Sequence, residues 1–219
     1  MNIYLVVEGP IGEKFVYAHW VPLVNPALAI ANNIDEVHDN NLLIISGGGY
    51  PNYFDVIGDG ARDVSESGLF DRLVIAVDSE EMSYEEKCDE ITDFIQKLDV
   101  NIDYRIIIQH FCLETWALGN QAIFSRQPRN SRLIRYRQVY DVLVNDPARL
   151  PGLPYEDLTR SQFAEKYLRS LLNEKFRNLT YTKHNPGALL HDKYFSRVRD
   201  RYLKTGHIAS FKGFLQAFI

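Results

Sequence analysis

Cysteine is scarce, with Cys88 and Cys112 the only two among 219 residues. They form no metal-binding spacing and no disulfide pattern, which argues against a secreted disulfide scaffold or a zinc module. Each reads as a packed small apolar side chain rather than a nucleophile. Long apolar runs are missing too, and none approaches the roughly 20 residues of a membrane span. The first residues, Met1 to Val7, have no basic region and run directly into Glu8. No secretion signal is therefore expected, and the expected location is cytoplasmic without membrane contact. There is no internal repeat and no low-complexity linker. The one glycine run, Gly47–Gly49, lacks both the Gly-x-Gly-x-x-Gly spacing and a following Walker lysine. It reads as a tight turn needing positive φ, with a phosphate cradle at a helix N-terminus as the alternative.

Positive charge is scarce in the first half of the chain. Residues 1–125 carry 6 Lys+Arg against 21 Asp+Glu, a net of −15, and residues 126–219 carry 18 against 8, a net of +10. An acidic half can hold cations and a basic half can contact phosphates. Together they suggest metal chemistry on a phosphate backbone, the alternative being two halves that attract each other.

The pattern present in the acidic half is α/β. Buried strands are predicted over 3–7, 42–45, 73–77 and 104–108, with helices over 13–20, about 51–66 and 83–98, and Pro22 is expected to end the first helix. A short helix is expected over 27–34. This alternation predicts a parallel sheet with right-handed crossovers. Beyond about residue 125 only helices are expected, over 132–143, 161–176, 188–203 and 210–218. The expected organisation is an α/β catalytic domain over 1–125 and a basic helical extension over 126–219 packed on it.

Strand ends deliver acids to one sheet edge: Glu8, then Asp78 and Glu80, then Glu114. Ligands of open α/β sheets bind beyond the carboxyl ends of the strands. Clustered carboxylates repel one another, and a hard dication, Mg²⁺ or Mn²⁺, relieves that repulsion. The alternative is a solvated turn with a helix cap. Glu8 either binds metal or acts as general acid or base.

A strand ending Val7-Glu8-Gly9, followed two units later by one ending Asp78-Ser79-Glu80, resembles the Toprim fold of topoisomerases, primases and OLD-family nucleases. The family's second motif is Asp-x-Asp; here a glutamate replaces the second aspartate. The phrase His110-Phe-Cys-Leu-Glu114-Thr-Trp116 and the ending Tyr181-Thr-Lys183 with a terminal helix look like RloB-like Toprim proteins. A glutamate four residues beyond Glu8 is usual there; this chain has Gly12, then Glu13, which reads as a helix-start acid, the alternative being a turn one residue longer. The resemblance implies a Toprim-like fold and a Mg²⁺- or Mn²⁺-dependent endonuclease cutting RNA, tRNA included, or DNA. It implies metal ligands Glu8, Asp78, Glu80 and Glu114, with Lys183 at the phosphate; the alternatives are a solvated surface lysine at 183 and a Glu114 that caps or braces the Trp116 helix. It further implies a toxic effector of anti-phage defence, controlled by an ABC- or AAA-type ATPase partner and able to form homo-oligomers.

The best nucleic-acid candidate is the run Arg126, Arg129, Arg132, Arg135 and Arg137, with Tyr136 and Tyr140 interleaved to stack on bases. Spacing of three puts the first four arginines near one helix face, the alternative being ion pairs with the acidic half. His184, His191 and His207 lack the spacing of a helical metal pair and read as caps or surface groups. Two other readings stand beside the nuclease: a non-catalytic docking module for an ATPase, and a small-phosphate binder using Gly47–Gly49.

Overall fold

A segment reading Ile-Tyr-Leu-Val-Val has no polar side to offer water, and all five residues are buried in β1 (Ile3–Val7). β3 (Asn41–Ser46) and β4 (Arg72–Asp78) have the same apolar centres, the mark of strands covered on both faces. With β2 (Ala29–Ala31) and β5 (Tyr104–Gln109) they form one parallel sheet in the order β2-β3-β1-β4-β5. The computed structural model describes residues 1–9, 11–176 and 181–219.

The chain leaves β1 through α1 (Ile11–Val24), moves outward to β2 and β3, and returns through α2 (Tyr53–Glu66) to β4 on the other side of β1. α3 (Tyr84–Gln96) then leads to β5. The strand order reverses between β1 and β4, the switch point at which open α/β sheets hold ligands.

Two compact units make up the chain: Met1–Val77, Ser83–Ile108 and Gly213–Ile219 form the first, Asp78–Met82 and Gln109–Lys212 the second. The boundary expected near residue 125 falls inside the second unit. In the first unit, Tyr4, Val6, Leu73, Ile75 and Val77 share a core with Tyr53 and Ile57 of α2 and Ile91 and Ile95 of α3. Edge-to-face rings, Tyr17 and Trp20 of α1 against Phe214, cover another surface.

Two local expectations are corrected. Helix α1 runs through Pro22 to Val24 instead of stopping, because Trp20 and Val21 are inaccessible and hold the turn in place. Its buried face carries Val16, Tyr17 and Trp20, while Phe15 remains exposed. The helix expected over 27–34 is instead strand β2, followed by a 3₁₀ turn at Ile34–Glu36. Three small residues paired along Asn41–Leu43 suffice to extend the sheet edge.

The second unit is helical: α4 (Leu113–Ala117), α5 (Ser131–Val139), α6 (Arg160–Lys175), α7 (Asp192–Thr205) and the first residues of α8 (Phe211–Ala217). Tyr136 packs edge-on to Phe163 at 5.0 Å, and Phe163 stacks on Tyr167, which joins α5 to α6. Arg201, 3% exposed, donates to the carbonyls of Val142, Leu143 and Asn145, tying the connecting loop to α7. Among the described residues no helix is long and apolar enough to cross a membrane.

Candidate functional site

Glu8 follows β1 in the first unit, half-buried. Its N–H donates to Ala76 O at 2.9 Å and its carbonyl accepts from Gly49 N–H at 2.9 Å, which fixes it at the carboxyl edge of the sheet. Glu13 turns back to accept from Gly9 N–H at 2.5 Å, the behaviour of a helix-start acid. Gly48 and Gly49 have positive φ, and a Cβ on Gly47 would lie 2.5 Å from Tyr53 Cβ, so the glycine run is a tight turn. The N–H groups of Gly47, Gly48 and Gly49 point to Val7 O, Ser46 Oγ and Glu8 O. A phosphate cradle there would have to displace protein acceptors.

The remaining acids lie in the second unit. Asp78 closes β4, and the chain turns sharply behind it. Ser79 N–H donates to Gln109 O and Glu80 N–H to Phe111 O, extending the pairing past the strand end. Glu80 adopts a left-handed backbone at φ 52°, unusual for a residue with a Cβ, and its side chain is exposed. Glu81 is held by Arg160 at the start of α6, which reaches its carboxylate through the backbone N–H (2.7 Å) and Nε (2.9 Å). The guanidinium of Arg160 also lies 4.3 Å from the ring centre of Phe111. Arg160 thus clamps the turn that presents Asp78 and Glu80.

Glu114 sits in α4, 2% exposed, and accepts a 2.6 Å hydrogen bond from the hydroxyl of Tyr181. Burial, and then the Glu114 charge, hold the Tyr181 pKa well above its ordinary value, so this hydroxyl stays a donor. Burial opposes the charge on Lys183, but Glu114, Asp78, Cys112 and Glu80 outweigh it and raise its pKa. Three acids and one ammonium therefore share one electrostatic neighbourhood. Cys112 is fully buried, and burial, Glu114 and Asp78 all push its thiol pKa up, which makes it an inert packing residue. Between half-buried Asp78 and exposed Glu80, Ser79 Oγ lies 2.7 Å from His110 Nδ1, a pair that spacing did not single out.

Carboxylates are hard donors and suit Mg²⁺ or Mn²⁺. Among the described residues no group of three or more His, Cys, Asp or Glu is placed to hold a metal ion. Mg²⁺ does not need one, since it keeps several waters and is bound through one or two carboxylates plus substrate phosphate. Asp78 and Glu80, two residues apart on one turn, fit that mode as a donor set.

The arginine run does not act as one face. Tyr136 is fully buried against Phe163 and Tyr167, so no base can stack on it; its spacing matched the apolar stripe of α5 instead. Arg137 pairs with Asp141 at 2.9 Å and faces the protein. Arg132 and Arg135 stay exposed, and they line a cleft with Lys166 and Arg169 of α6. The three-residue spacing of Lys166 and Arg169 was the available signal. His191 caps α7 by accepting from Lys193 N–H, His207 accepts from Arg201, and His184 is exposed. No family model, curated protein or solved structure matches the chain.

Proposed function

We propose that the chain is a Mg²⁺- or Mn²⁺-dependent hydrolase of phosphodiester bonds in RNA, tRNA included, or DNA, a nuclease of the Toprim kind. The observation that carries this reading is the pair Asp78 and Glu80 on a turn that begins where β4 ends, with their charges and that of Glu114 raising the Lys183 pKa. Acids beside a lysine whose pKa they raise suit a phosphoryl group, whose oxygens need cations while the attacking water needs a base. A bound dication would supply Lewis-acid stabilisation of charge developing on the phosphate.

The chain's own residues have separable tasks. Half-buried Asp78 and exposed Glu80 supply carboxylate oxygens. Lys183, kept protonated by its neighbours, offers a positive charge to a phosphate oxygen. Glu114, locked by Tyr181, adds its charge to those that raise the Lys183 pKa. Clamping by Arg160 orients the turn. The role of toxic effector in anti-phage defence under an ABC- or AAA-type ATPase rests on the resemblance of the Glu8, Asp78-Ser-Glu80 and Tyr181-Thr-Lys183 motifs. A non-catalytic docking module is favoured by one observation: Glu81 and Glu114 already have protein partners, Arg160 and Tyr181.

The test is cleavage of labelled RNA and DNA by the purified chain and its Asp78→Asn, Glu80→Gln and Lys183→Gln variants, alone and with the ATPase partner. Each should lose at least about a hundredfold in rate, the scale of one electrostatic or acid–base contribution. Glu8→Ala, measured alongside, is expected to lose activity as well. Wild-type rates in the Asp78 and Lys183 variants would remove the site, and inactivity throughout with no metal binding by calorimetry would favour the docking module.

A further inference from the structure

The second unit also contains a concave surface with only basic and neutral lining. A cavity of about 350 Å³ is bordered by Arg132, Arg135 and Asn130 from α5 and its cap, and by Lys166, Arg169 and Asn173 from α6; no carboxylate lines it. The geometry follows from packing. Tyr136 is buried on Phe163 and Tyr167, which sets α5 beside α6. Residues three apart on each helix, Arg132 with Arg135 and Lys166 with Arg169, then flank the seam.

These charges are largely uncommitted. Among the described residues Arg132, Arg135 and Lys166 form no ion pair, whereas Arg137 on the same helix does. Arg169 is shared: its Nη2 reaches Glu165 and its Nε donates to Tyr181 O, both at 3.3 Å. The acids nearby are Glu165 and Glu174, and Glu174 accepts from the N–H groups of Arg129 and Asn130. Guanidinium forks match phosphate oxygens. The lining contains no aromatic or large apolar side chain to receive a base, which separates this cleft from a nucleotide pocket.

We propose that this cleft seats backbone phosphates of a nucleic-acid strand, gripping the polymer without reading its sequence. The proposal deepens the hydrolase reading by naming where the strand is held, and rests on it for the polymer. Arg169 joins the two places, since the carbonyl it holds belongs to Tyr181, whose hydroxyl locks Glu114.

The experiment measures binding and not cleavage: fluorescence anisotropy of labelled 10- and 20-nucleotide strands in chelator, with wild type, Arg135→Gln/Lys166→Gln and Arg137→Gln, each checked by thermal melting. The double variant should bind about tenfold more weakly at 0.1 M salt. Its slope of log affinity against log salt should flatten by about 1.4, or 0.7 for each lost phosphate contact on a single strand. Arg137→Gln should match wild type, and strands of different sequence should bind alike. Unchanged affinity and slope in a folded double variant would overturn the proposal. So would orthophosphate binding as tightly as the strands, with no dependence on strand length, which would mark a free-anion site. Intact, cleft-dependent binding by a chain that cleaves no strand when Mg²⁺ or Mn²⁺ is supplied would count against the hydrolase reading and leave the cleft standing.

Discussion

The hydroxyl of Tyr181 donates to a carboxylate, Glu114, that is almost sealed from water. A buried acceptor that loses its donor keeps its desolvation cost, so Tyr181→Phe should destabilise the chain by about 1–3 kcal/mol in denaturant unfolding. Removing both partners, Tyr181→Phe with Glu114→Leu, should be less costly than the two single changes added together. Additive costs would show that the pair is not coupled. Lys183 makes a complementary prediction through pH. Its pKa is raised in the folded chain, so its stabilising contribution is complete below the unfolded value near 10.4 and fades as pH climbs above it. The stability gap between wild type and Lys183→Met should therefore be flat from about pH 6 to 9 and narrow above about pH 10.4. A gap that widened in alkali would contradict the placement of the ammonium among acids.

At the scale of elements, helix α6 supports both the site and the basic cleft. It opens with a capping box, in which Thr159 Oγ1 accepts from Gln162 N–H and the Gln162 side chain returns to Thr159 N–H. Thr159→Ala should cost about 1 kcal/mol and loosen the Arg160 clamp on Glu81, so that thermal melting falls together with activity. Equal melting of variant and wild type would mean that the cap adds nothing. The long strands were legible because continuous β-branched runs have few alternatives, and the Ser83 cap of α3 was legible from its following Glu86. Three-residue β2 was not, since its small side chains have no period and its strand character comes from pairing with β3. Tyr136 misled for a related reason: alternating arginine and tyrosine looks like a nucleic-acid surface until packing decides which face is inside. The position of Asp78 and Glu80 at the end of β4 was readable from the abrupt end of an apolar run. The roles of Tyr181, Arg160 and Arg169 depend on contacts across 67, 79 and 12 residues, which spacing alone does not reveal.

At the scale of the whole chain, the first unit carries Glu8 beside the point where the sheet order reverses, and the second unit by itself contains Asp78, Glu80, Lys183, the Arg160 clamp and the basic cleft. Under the proposed function, the sequence's charge division would set acids for a cation and bases for phosphates. The most direct measurement of the central claim is strand cleavage by the purified chain across Mg²⁺, Mn²⁺, Ca²⁺ and excess chelator. Activity is predicted with Mg²⁺ and Mn²⁺. With Ca²⁺, which accepts the same oxygens in a larger and looser shell, strand binding without turnover is predicted. Cleavage at full rate in chelator, or cleavage unaffected by Asp78→Asn, would contradict it.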